Sequence, residues 1–61
     1  MNPEPPPIRL TVEQRPEGWF IVGPSHVNGP FHSRADTVQM AQDMAAYIRV
    51  SGGNVELVAP A

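Results

Sequence analysis

The chain has 61 residues, carries a net charge of −2 and contains no cysteine. A chain of this length forms a single domain with a small core, worth roughly 3–5 kcal/mol, and it has no disulfide or thiolate metal site to stabilise it. Its four cationic residues are all arginines, scattered along the sequence, so the basic stripe typical of a nucleic-acid binder is missing. No apolar run approaches the ~20 residues of a membrane-spanning helix, and the first residues lack the basic and apolar segments of a secretory signal. We therefore expect a cytoplasmic protein.

The first seven residues are dominated by proline, which lacks a backbone donor and fixes φ. Such a composition is typical of an extended, solvated segment. Residues 1–7 are predicted to be a flexible tail, followed by one small domain over residues 8–61.

Two strand-like runs open the domain. Ile8, Leu10 and Val12 alternate with polar residues, which indicates a half-buried strand over about 8–14. Pro16-Glu17 is typical of a tight turn, and the aromatic and β-branched residues that follow indicate a second strand over about 19–23. The two runs predict a β-hairpin.

Residues 23–32 are predicted to be a loop. Gly23-Pro24 and Asn28-Gly29-Pro30 are structure breakers, and nothing periodic lies between them. We expect the apolar residues of this loop, Val27 and Phe31, to lie against the edge of the sheet.

An amphipathic helix is predicted over about 34–50. Ser33 is a good N-cap with Asp36 three residues later, and Gly52 or Gly53 supplies the left-handed residue that ends a helix. Apolar residues three and four apart form one stripe that faces the core. They are Ala35, Val38, Ala41, Ala45 and Ile48, widened by Met44.

Residues 54–59 alternate again, with Val55, Leu57 and Ala59 on one face, and predict a third strand. The predicted fold is α+β with the order ββαβ. Its three-stranded antiparallel sheet has the strand order 2-1-3, and one helix packs on one face.

The chain resembles a family of very short bacterial ββαβ proteins of unknown function. The resemblance rests on the hairpin strand from Gly18 to Val22, the Ala-rich helix that opens after a small polar residue, and Gly52-Gly53 before the last strand. It covers residues 8–59 and implies the same fold. Because that family has no assigned activity, the resemblance implies no catalytic residue, cofactor or substrate.

Several residues with catalytic or ligand chemistry occur in the loop. His26, His32 and Asp36 are possible zinc ligands, but their spacing matches no known metal pattern, so we expect no metal site. Ser25 beside His26 has the chemistry of a nucleophile and base, yet the two are neighbours on a loop with no oxyanion hole in prospect. We expect neither an enzyme nor a bound cofactor.

Strand two carries more apolar surface than one helix can cover, because successive side chains point to opposite faces. A two-residue turn at Pro16-Glu17 would direct Trp19 and Ile21 to the core, whereas a three-residue turn with a bulge at Gly18 would exchange the faces. We favour the first register, since Trp19 has the larger area to bury. Other apolar residues would then remain for an interface on the helix-free face and the flank of the helix. They are Phe20, Val22, Val58, Met40 and Tyr47.

These features predict a protein-interaction module that forms a weak homodimer or binds another protein through the helix-free sheet face or an edge strand. The alternative is a small nucleic-acid-binding module in which Phe20 stacks on a base while Arg9 and Arg15 meet phosphate. An enzyme is a distant third possibility.

Overall fold

A computed structural model describes residues 6–60 as four strands and one helix. The strands are β1 (Ile8–Arg15), β2 (Gly18–Val22), β3 (Val27–Phe31) and β4 (Val55–Val58), and the helix α1 (Arg34–Val50) lies between β3 and β4. The sheet has the order β3-β2-β1-β4, so β1 and β2 are central. The α+β class and the single helix agree with the prediction made from the sequence. The predicted tail falls largely on residues 1–5, which lie outside the described residues.

The hairpin has the register that a two-residue turn at Pro16-Glu17 predicts. Val12 lies opposite Ile21 and Arg15 opposite Gly18, so the loop contains only Pro16-Glu17. Ile21 is consequently fully buried beside Val12 on the helix side.

The prediction of a loop over residues 23–32 is wrong, because Val27–Phe31 forms the edge strand β3. It pairs antiparallel with β2, with a register shift between the Trp19 and Ile21 pairings. An edge strand needs hydrogen bonds on only one side, so it tolerates a Gly-Pro pair that a central strand would not.

The predicted direction of the last strand is also wrong, because the prediction did not include β3. β4 pairs with β1 in parallel, with Ile8 opposite Val55 and Thr11 opposite Val58, rather than antiparallel. β3 reverses the chain once more before α1 begins. The helix then returns the chain to the start of the sheet, and β4 has to run in the direction of β1.

The core lies between α1 and one face of the sheet. Its buried apolar residues come from three strands and the helix, and they are Leu10, Val12, Ile21, Ala41, Ala45 and Val55. Ser33 is the N-cap and accepts a hydrogen bond from the backbone N–H of Asp36. The helix stripe differs at its first turn, where Ala35 is exposed and Thr37 is buried. The Thr37 hydroxyl donates to the Ser33 carbonyl at 2.6 Å, which satisfies it within the helix.

Candidate interaction surface

A row of four side chains crosses the whole sheet on the face opposite the helix. Thr11 lies opposite Val22 on β2 and opposite Val58 on β4, and Val22 lies opposite Val27 on β3. Directly paired residues project from the same face of a sheet, so these four residues, one from each strand, form a continuous band. We call the face that carries this band the open face. Within residues 6–60, the only helix packs on the opposite side.

The band is rich in β-branched side chains and is partly accessible. Val27 is 52% exposed, whereas Thr11, Val22 and Val58 are half-buried by their neighbours on adjacent strands. β-branched side chains have little rotamer freedom to lose, so a partner can cover them at a low entropic cost.

Charged pairs flank the band on both sides, one before Thr11 and one after it along β1. Arg9 lies 3.5 Å from Glu56 on β4, and Arg15 lies 2.5 Å from Glu13 on its own strand. Each arginine of the open face is therefore matched by a carboxylate. A surface with alternating charges at its rim and apolar residues at its centre is typical of a protein–protein interface. It is a poor match for a phosphate backbone, which needs unmatched cations.

Phe20 projects from the open face, and its ring is partly covered by its own chain. The guanidinium carbon of Arg15 lies 5.2 Å from the ring centroid. On β3, the ring lies so close to Gly29 that a Cβ atom built there would come within 2.6 Å of the ring carbon Cδ1. The Phe20 ring therefore packs over the backbone of Gly29 and beside Arg15. Less of the ring is left free to stack on a base.

Met40 and Tyr47 do not belong to the open face. Both lie on α1, on the other side of the sheet, and they are 43% and 75% exposed. Beside this flank, Met44 and Ile48 contribute to a cleft of about 290 Å³ between the helix and the segment that enters β3. The five residues proposed for an interface thus divide between two surfaces, and the open face is the one that spans every strand.

Two of the loop residues with catalytic or ligand chemistry, Ser25 and His26, contact each other. Ser25 Oγ lies 3.1 Å from His26 Nδ1 at the rim of the cleft, and both residues are exposed. The described hydrogen bonds join neither of them to Asp36, whose backbone N–H is bound to the N-cap. Within residues 6–60, no three His, Cys, Asp or Glu side chains are close enough to share a metal ion.

The two edges of the sheet differ in their ability to accept another strand. β3 contains Pro30, which has no backbone N–H, and its pairing with β2 is interrupted by the register shift. β4 contains neither a proline nor a register shift, and among the described strands it pairs with β1 alone. We call the unpaired side of β4 the open edge.

Comparison with known proteins does not extend these observations: no family model, no curated protein and no solved structure matches the chain. The resemblance to short ββαβ proteins therefore stays a prediction. Within residues 6–60, no helix is both long and apolar enough to cross a membrane.

The sequence analysis missed Val27 as a member of the band, because it assigned residues 23–32 to a loop. The available signal was the apolar residue at each end of 27–31, which is compatible with a short edge strand despite the breakers between them.

Proposed function

We propose that this protein is a protein-interaction module whose docking surface is the open face. The observation that carries the proposal is the band formed by Val27, Val22, Thr11 and Val58, because it crosses all four strands and lacks a covering helix among the described residues. We assign the chain no catalytic role, and we place it in the cytoplasm, where a chain without cysteine needs no oxidising environment.

The chemistry of the surface defines the class of partner. Because the charges on both sides of the band are already paired within the chain, the surface favours a partner that presents an apolar strip bordered by uncharged polar groups. Such a partner would bury the β-branched band and keep both ion pairs at the solvated rim, where their desolvation cost is small.

Site-specific photocrosslinking in the cells that carry the natural gene tests the proposal. A photoreactive phenylalanine analogue at position 27 reports on the open face, and the same analogue at exposed position 39 of α1 is the matched control. We expect a protein adduct at position 27 that disappears in a Val22→Lys background and does not form at position 39.

Circular dichroism of Val22→Lys establishes that the variant is folded before its adducts are compared. Adducts of equal yield at positions 27 and 39, or an adduct at position 27 that survives Val22→Lys, would contradict the assignment of the open face.

A further inference from the structure

The open edge has backbone groups that none of the strands within residues 6–60 satisfies. The Ile8 N–H donates to the Asn54 carbonyl at 2.8 Å, so the backbone of Asn54 faces β1. Because N–H and C=O groups alternate in direction along a strand, Glu56 also faces β1, whereas Val55 and Leu57 face outward. The open edge therefore presents the donor and the acceptor of two residues, Val55 and Leu57.

We infer that the open edge binds a second copy of this chain, with the two β4 strands antiparallel about a two-fold axis. The inference goes beyond the proposed function, because it names a second copy of the chain as a partner and uses a different surface from the open face. A second copy supplies an identical row of donors and acceptors in the reverse direction, so the two strands satisfy each other about the two-fold axis.

The contrast between the two edges favours a closed dimer over a growing assembly. A chain with two open edges would add copies without limit, as in fibrils. Here Pro30 and the register shift interrupt β3, so each chain has one edge that accepts a strand. Two chains that pair through β4 consume both open edges and form one eight-stranded sheet.

The charge on β4 selects the register. Opposing Val55 with Leu57 would place Glu56 directly opposite Glu56 of the second copy, and like charges in that position are destabilising. Opposing Leu57 with Leu57 moves Glu56 beside Val58 instead and leaves Glu56 with its own Arg9. Leu57 is half-buried on the helix side, so this register also brings two apolar side chains together.

The end of β4 is consistent with this register. Val55 of each copy would lie opposite Ala59 of the other. The Ala59 carbonyl already accepts a hydrogen bond from Arg34 at 3.4 Å, and Arg34 Nε donates to the Pro60 carbonyl at 3.1 Å. A carbonyl oxygen has two lone pairs, so Ala59 has a site left for the second copy. Arg34 meanwhile holds this segment in place beside the sheet.

In this arrangement the two-fold axis is perpendicular to the sheet. Both helices then lie on one side, and the open faces of the two copies become continuous on the other. Dimerisation would thus double the area of the open face without covering it.

Single-cysteine crosslinking tests the inference, because the natural chain contains no cysteine. Directly opposed residues of a hydrogen-bonded antiparallel pair have Cα atoms about 5.5 Å apart, within the range of a disulfide. We expect Leu57→Cys to form a disulfide-linked dimer under mild oxidation. Val58→Cys, which keeps Glu56, should remain monomeric, because position 58 lies opposite position 56 in this register. Crosslinking of Val58→Cys instead of Leu57→Cys, or of neither, would overturn the pairing stated here.

Sedimentation between about 10 µM and 1 mM, the range of a weak dimer, provides the second measurement. Leu57→Pro removes the outward N–H while the inward ladder to β1 stays intact, and Leu57→Ala is the matched control that keeps this N–H. Circular dichroism establishes that both variants are folded. We expect Leu57→Pro to weaken the dimer at least about tenfold relative to Leu57→Ala.

The two proposals fail separately. A wild-type chain that stays monomeric throughout this range overturns the dimer and leaves docking of a foreign partner on the open face intact. A dimer that Val22→Lys abolishes and Leu57→Pro leaves unchanged overturns the edge pairing, because it shows that the copies meet through the open face. A Leu57→Cys crosslink, together with no adduct at position 27 in the chain that keeps Val22, supports the dimer and contradicts the proposed function.

Discussion

The same chemical change on the two faces of the sheet gives the most direct test of which face is free. Val12 is 1% exposed in the core, whereas Val22 is half-buried on the open face. Replacing either residue with threonine keeps the β-branched shape and exchanges a methyl group for a hydroxyl. The difference in stability between the two variants therefore measures how far each face is from water.

The expected magnitudes are well separated. At position 12 the hydroxyl enters an apolar core and costs about 2 kcal/mol, a large part of the roughly 3–5 kcal/mol expected for the domain. At position 22 the hydroxyl reaches solvent, and the cost is below about 0.5 kcal/mol. For a domain of this size, Val12→Thr should lower Tm by about 10 °C and Val22→Thr by about 3 °C at most.

Urea denaturation followed by emission from the single tryptophan, Trp19, measures both variants with one probe. The titrations are run at about 1 µM, below the range of a weak dimer, so that association does not contribute to the free energy of unfolding. Equal losses of stability at positions 12 and 22 would refute the reasoning, because they would show that the open face is covered within the monomer.

Gly29→Ala should destabilise the domain by about 2 kcal/mol more than Gly52→Ala as measured by thermal denaturation, since both glycines have positive φ but only at position 29 would a Cβ atom meet Phe20 and the Trp19 carbonyl. Equal losses would mean that the Phe20 ring moves away freely. Trp19→Ala should cost about 3 kcal/mol, because Trp19 packs against the core. Far-UV circular dichroism is the measurement, and an unchanged melting temperature would contradict this packing. Fluorescence anisotropy with single-stranded and duplex oligonucleotides should detect nothing tighter than about 10⁻⁴ M at physiological salt. A micromolar isotherm that weakens steeply with salt would favour the nucleic-acid alternative instead.

Local sequence signals were sufficient to predict the hairpin and the helix, whose ends are marked by turn and cap residues. Pro16-Glu17 determined the hairpin register, and through it the buried position of Ile21. Ser33 and Gly52 marked the helix, which spans Arg34–Val50. In each case the residues that decide the structure lie within a few positions of the element they define.

The edge strand could not be predicted in the same way. Asn28-Gly29-Pro30 disfavours a strand on propensity alone, and β3 exists because β2 offers it a partner on one side. The direction of β4 depends on β3, so one missed element produced both errors of topology. The band on the open face joins residues from four strands, and its continuity follows from three pairings that become visible only in the folded sheet.

The parallel pairing of β1 with β4 has a consequence for how the domain forms. The salt bridge between Arg9 and Glu56 joins residues 47 positions apart, near the two ends of the folded region. The meander from β1 to β3 and the helix are local structures, but β1 keeps an unpaired side until β4 has been synthesised. Because this last contact requires closure of a long loop, it is expected to form late and to slow folding. The domain therefore completes its fold after translation of its last strand, and a chain interrupted before Val55 would leave a central strand of the sheet as an unprotected edge.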